Sequence, residues 1–159
     1  MVIGYVTGTL RGMIAWLVGY LVVLLLLILG LVNGTGFLRT AADIYMGAHA
    51  IPGITGSFEW IVLIPVAIIG IVGVRLGRSV GRGLLGYAKA LIAGRGDSRT
   101  YRLKKAGKRM AIFAIGYLLA TLITATLVGI GVQDVLVDTA LMILVVGTPA
   151  AGFGVIIAE

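Results

Sequence analysis

Cysteine is missing from all 159 residues, so disulfides, thiolate metal sites and cysteine nucleophiles are excluded. Histidine occurs once, at His49, which is too few for a multi-histidine metal site within one chain. Serine is confined to Ser57, Ser79 and Ser98. Charge is scarce too: 12% of residues are charged, against about 25% in an ordinary soluble domain. With 60% of residues hydrophobic, there is too little polar surface to cover a body in water. The composition predicts a protein dissolved mainly in lipid, with no metal and no cofactor.

A bilayer core of about 30 Å takes about 20 apolar residues in a helix. Four stretches qualify, at about 13–32, 60–76, 110–132 and 136–158. The expected fold is all-α: a four-transmembrane-helix bundle forming one integral membrane domain over residues 1–159. The first run is longer than the 7–15 residues of a signal-peptide core, and it reads as a retained span with Arg11 as its flanking anchor. Pro65 removes a backbone donor and is expected to kink the second span. Gly147-Thr148-Pro149 is expected to interrupt the fourth.

Catalysis within the membrane needs a nucleophile with a base, paired acids or a metal. The polar residues at mid-span are Tyr20, Tyr117, Thr121, Thr124, Thr126 and Thr148, with no Ser, His, Cys, Glu or Lys among them. The protein therefore reads as non-enzymatic. Intramembrane ionisable residues usually mark pumps and proton relays, and their lack here disfavours an ion-coupled transporter.

The charge that exists is gathered. Arg75, Arg78, Arg82, Lys89, Arg95, Arg99, Arg102, Lys104, Lys105, Lys108 and Arg109 lie between spans two and three, eleven of the thirteen basic residues. Four spans put that loop on the same side as both ends of the chain. That side holds twelve basic and two acidic residues, a net of +10. The other side has Arg39 against Asp43, Glu59, Asp134 and Asp138, a net of −3. Lys and Arg in short loops mark the cytoplasmic side, so the expected topology is N-in and C-in with the basic loop inside.

At 100° per residue, Arg75, Arg78, Arg82 and Lys89 fall in a 60° stripe. Leu76, Val80, Leu84, Tyr87 and Leu91 fall on the opposite face. The pattern predicts a basic amphipathic helix at the membrane surface. After a glycine-rich turn, Asp97 or Ser98 can cap a second helix that runs through Arg99, Arg102 and Lys105 into span three. The expectation is a basic helical hairpin over 77–109. The eleven cations between spans two and three exceed what orientation requires, and they suit anionic lipid headgroups or, nonspecifically, a nucleic acid. Arg95-Gly96-Asp97 reads as part of the turn, not as an adhesion motif.

On the other side, 33–59 is expected to be an interfacial segment. Apolar residues recur at Phe37, Ala41, Ile44, Tyr45, Ala48 and Ile51, which predicts a short helix stopped by Pro52-Gly53. Tyr45 and Trp60 fit an aromatic belt, and His49 reads as a polar residue at headgroup depth. Asp134 and Asp138 read as exposed residues that reinforce topology.

Small residues recur every fourth position at Gly4, Gly8 and Gly12, at Gly73, Gly77 and Gly81, and at Ala150, Gly154 and Ala158. Such faces let helices approach closely in lipid, either within the bundle or in self-association with copies of the chain.

The four spans, the Arg-over-Lys usage, the lack of Cys and the basic run RTYRLKKAGKR together resemble the small internal membrane proteins of haloarchaeal pleomorphic enveloped viruses. That resemblance implies a multi-span structural protein beneath a virion envelope, next to the genome. The function expected from the residues is structural or scaffolding, with a basic inner face that holds anionic lipid or tethers a polyanion. The alternative is a small channel or transporter subunit using the helix breaks at Pro65 and Gly147-Thr148-Pro149.

Overall fold

The computed structural model describes residues 2–30, 36–50, 60–81 and 98–158, and every element among them is helical. Four helices are long and apolar enough to cross a bilayer: Gly4–Ile28, Trp60–Val80, Arg99–Val128 and Val132–Ile156.

Helix α1 covers Val2–Ile28. It stops four residues before its apolar run does, because Gly30 turns left-handed with φ 70°. There the Gly30 N–H donates to the Leu27 carbonyl at 3.0 Å, which closes the last turn. The span therefore sits nearer the N-terminus than the apolar run suggested, and Arg11 lies well inside the helix instead of flanking it.

Helix α2, Phe37–Gly47, forms where the periodicity placed one, with one face exposed and the other packed inward. Ala41, Ala42, Tyr45 and Met46 are buried, packed against α1 and the helix of span three. Tyr45 is fully buried and so is not a belt residue, whereas Trp60 is half exposed.

A short 3-10 turn, Trp60–Val62, leads into α3, Leu63–Gly81. This start places Pro65 in the first turn, where a missing N–H costs nothing because it has no partner there. Pro65 thus lies near the start of the second span and not in its middle.

Helix α4 is a single helix from Ser98 to Val128. Its 31 residues span about 46 Å at 1.5 Å per residue, more than the ~30 Å of a bilayer core. It contains no proline. The basic residues 99–109 thus prolong span three along its own axis. The start of the other expected arm, 77–81, is likewise the end of α3; residues 82–97 lie outside the described residues, and with them Arg82, Lys89 and Arg95.

The fourth span is α5, Val132–Met142, a π turn at Ile143–Gly147, and α6, Thr148–Ile156. Pro149 cannot donate to the carbonyl four residues back, and the chain widens to let the Thr148 N–H reach the Ile143 carbonyl. The helix is thus bulged at the predicted interruption but not broken.

Adjacent spans in sequence are not the closest partners. α1 packs most extensively on α4, and α3 on α6, each pair running in the same direction. Glycine sets both contacts. A Cβ on Gly12 would overlap the Phe113 carbonyl and the Tyr117 amide, and one on Gly116 would overlap the Thr9 carbonyl. In the second pair, a Cβ on Gly77 would overlap the Ala151 carbonyl, and one on Gly154 the Val74 carbonyl. A Cβ on Gly73 would lie 2.8 Å from the Gly147 oxygen and 2.9 Å from Ala150 Cβ. These small faces are used inside the chain. Gly81 closes α3, and Ala158 follows α6 half buried.

Candidate functional site

The antiparallel course of α1 and α3 brings the start of α1, the end of α3 and the start of α4 to one end of the bundle. Arg75 and Arg78 are exposed on α3. On α4, Arg99, Lys104 and Lys108 are exposed, and Arg102, Lys105 and Arg109 are half buried. The buried residues between them, Ala106 and Met110, hold this part of α4 on the bundle. Lys108 stands over the Tyr5 ring, 5.4 Å from its centroid, and Lys105 over Tyr101 at 6.0 Å. The Arg109 guanidinium donates to the Ser79 hydroxyl, which in turn donates to the Leu76 carbonyl at 2.7 Å.

Arg11, which is absent from the basic loop, belongs to this end. It lines a cavity of about 360 Å³ together with Thr7, Ser79 and Arg109. Arg11 and Ser79 also line an adjoining groove of about 550 Å³ between α1 and α3, with Arg75 at its mouth. Below the arginines the groove walls are apolar: Ile14 and Val18 on one side, Ile68 and Ile71 on the other. The described acids Asp43, Asp134 and Asp138 lie at the other end of the bundle, on α2 and the first turns of α5.

Between the two ends, the C-terminal part of α2 meets Tyr117 of α4 in a buried polar cluster that was not anticipated from the sequence. His49 is fully buried inside the protein. Its Nδ1 lies 2.8 Å from the Tyr45 carbonyl, its Nε2 lies 2.9 Å from the Tyr117 hydroxyl, and the two tyrosine hydroxyls are 2.6 Å apart. A carbonyl can only accept, so Nδ1 carries the proton. Neutral Nε2 must then accept from Tyr117, whose oxygen accepts from the Tyr45 hydroxyl. One order of protons satisfies the whole chain: Tyr45 to Tyr117 to His49 to the Tyr45 backbone. Burial lowers the His49 pKa to about 4, which keeps the ring neutral. Trp16 packs edge-on to Tyr45 at 5.3 Å, and Gly19 leaves the space that the Tyr45 phenol fills.

A signal for this cluster was present. Ala42, Tyr45, Met46 and His49 recur at helical spacing and so share one face. For Arg11 there was no such signal, since its nearness to Arg75 and Arg109 comes from tertiary packing alone. Among the described residues, no group of three metal-ligating side chains comes together.

The architecture is an all-helical protein with four helices able to cross a bilayer. Compared with known proteins, the chain matches no family model, no curated protein and no solved structure.

Proposed function

We propose that the protein is a structural membrane component, not an enzyme, whose basic end gathers anionic lipid headgroups. The observation that supports this most is the line of cations on the last turns of α3 and the first turns of α4, with every described carboxylate at the far end. Each such cation near an anionic leaflet contributes about 1 kcal/mol, or about fivefold in local lipid concentration. Gly12, Gly73, Gly77 and Gly154 are packed against neighbouring helices of the chain, which favours association with copies of itself through the rest of the lipid-facing surface. That Pro65 sits in the first turn of α3 favours the structural reading over the channel alternative, which draws on a helix break there.

The test is headgroup selectivity. In reconstituted vesicles, spin-labelled phosphatidylglycerol should be immobilised next to the protein about fivefold more than spin-labelled phosphatidylcholine. The preference should fall towards unity in 1 M salt, where the screening length is about 3 Å. It should also fall when Arg99, Arg102, Lys104 and Lys105 are changed to Gln. Equal immobilisation of the two lipids at low salt would overturn the reading. Retained selectivity alongside salt-sensitive capture of DNA would extend it to a polyanion, as the resemblance to envelope proteins implies.

Sidedness is tested separately, and the cysteine-free chain suits the purpose. The positive-inside pattern places the basic end in the cytoplasm. A membrane-impermeant maleimide on intact cells should label Asp43→Cys and leave Lys104→Cys unmodified until the membrane is opened. The reverse pattern would invert the topology.

A further inference from the structure

The cleft between α1 and α3 differs from the rest of the lipid-facing surface. Another surface groove, between Leu118 and Val137, is apolar throughout. The α1/α3 groove is apolar along its length but has Arg11, Arg75 and Ser79 at one end, with Arg109 donating to that serine.

Depth along the helices gives this arrangement its meaning. At 1.5 Å per residue, Arg11 lies about 26 Å from the far end of α1, Arg109 about 29 Å from the far end of α4, and Arg75 about 23 Å above Trp60. All three guanidinium groups therefore originate near one edge of a ~30 Å hydrocarbon core. Charge at that depth is costly unless an anion meets it. No described carboxylate lies at this end, so among the described residues the chain supplies none. The groove itself runs from Ser79 to Ile68, eleven residues or about 16 Å. That is the depth of one leaflet, half the hydrocarbon core. Its volume, about 550 Å³, lies within the roughly 300–1,000 Å³ of small-ligand sites.

We propose that this cleft is a specific site for one anionic phospholipid of the leaflet at the basic end. One acyl chain lies between α1 and α3 against Ile14, Val18, Ile68 and Ile71. The phosphate is held by Arg11 and Arg75, with Ser79 and Arg109 beside it. Guanidinium suits this task because its planar donors pair two at a time with phosphate oxygens. The proposal rests on the headgroup reading above but adds a stoichiometric, shape-selected lipid to a diffuse annulus. It also gives Arg11 a task, although Arg11 is remote in sequence from the basic loop.

The test uses the full chain, extracted in mild detergent and mixed with equal amounts of dioleoyl phosphatidylglycerol and dioleoyl phosphatidylcholine. Native mass spectrometry should show one retained phosphatidylglycerol per chain. Arg11→Gln with Arg75→Gln should weaken retention roughly 25-fold, taking about fivefold for each cation. Val18→Trp leaves every charge in place and substitutes a half-exposed wall residue, and it should also expel the lipid by filling the groove. Thermal unfolding of each variant shows whether it still folds. Val18→Trp, which alters no cation, should keep the headgroup preference that depends on Arg99, Arg102, Lys104 and Lys105. Phosphatidylglycerol preference in vesicles without a retained lipid in detergent would overturn the site and leave the broader reading intact. Retention unchanged in folded Val18→Trp would overturn the groove as the binding place. Loss of all headgroup preference in the unmodified protein would overturn both.

Discussion

Gly116→Val is expected to pull α1 off α4 and to cost about 3 kcal/mol or more. Overpacking typically costs about 1–3 kcal/mol when side chains can move aside. Here the obstacle is the Thr9 backbone, which cannot rotate away. Against a total stability of roughly 5–15 kcal/mol, the loss should show as a large drop in the SDS fraction needed to unfold the protein, followed by the fluorescence of buried Trp16. Gly107→Ala is the control. No atom lies within 4 Å of the added methyl, and the position is an exposed helix interior. That change should stabilise by up to ~1 kcal/mol. Equal stability of Gly116→Val and the parent would mean that the two helices do not meet as described.

Tyr117→Phe is the second large effect, because its hydroxyl serves two neighbours at once. Removing it leaves His49 Nε2 without a donor and the Tyr45 hydroxyl without an acceptor. A buried polar group left unsatisfied costs about 1–3 kcal/mol, so the expected loss is about 3 kcal/mol. Tyr45→Phe removes one donor and leaves the Tyr117–His49 bond in place, and should cost about 1 kcal/mol. The inequality follows from the Tyr117 hydroxyl bonding two partners and the Tyr45 hydroxyl one, and equal losses would mean that Tyr117 does not bridge Tyr45 and His49. The same cluster makes stability depend on pH. His49 has a folded pKa of about 4, below the ordinary value of about 6.5. As pH falls below about 6.5 the unfolded chain takes up the proton first. The stabilisation present above that pH is therefore lost between about 6.5 and 4, by up to about 1.4 kcal/mol per unit. Unfolding midpoints measured across this range should fall more steeply for the parent than for His49→Gln.

The spans were legible because lipid imposes a simple rule: a run of about 20 apolar residues has few other places to go. The ends were less legible, because they depend on backbone conformation and not on hydropathy. The run ILGLV stays apolar past Ile28, yet the left-handed Gly30 ends the helix. Pro65 carried a kink in the sequence only because the helix start at Leu63 could not be placed. The basic cluster was legible as composition, but its site was not. Arg11 joins Arg75 and Arg109 through packing between helices that are far apart in the chain. His49 was read from the polarity of its neighbours along the segment, whereas its burial is decided by Tyr117, 68 residues downstream.

The pairing of α1 with α4 also bears on how the chain is made. Thr9 meets Gly116, which is synthesised 107 residues later. At about 5–20 residues per second, the first helix spends on the order of 5–20 seconds in the bilayer before its partner emerges. Through that interval its glycine face is open to whatever helix is nearby. A nascent chain stalled just short of residue 116 should therefore be the species most readily trapped by foreign transmembrane segments.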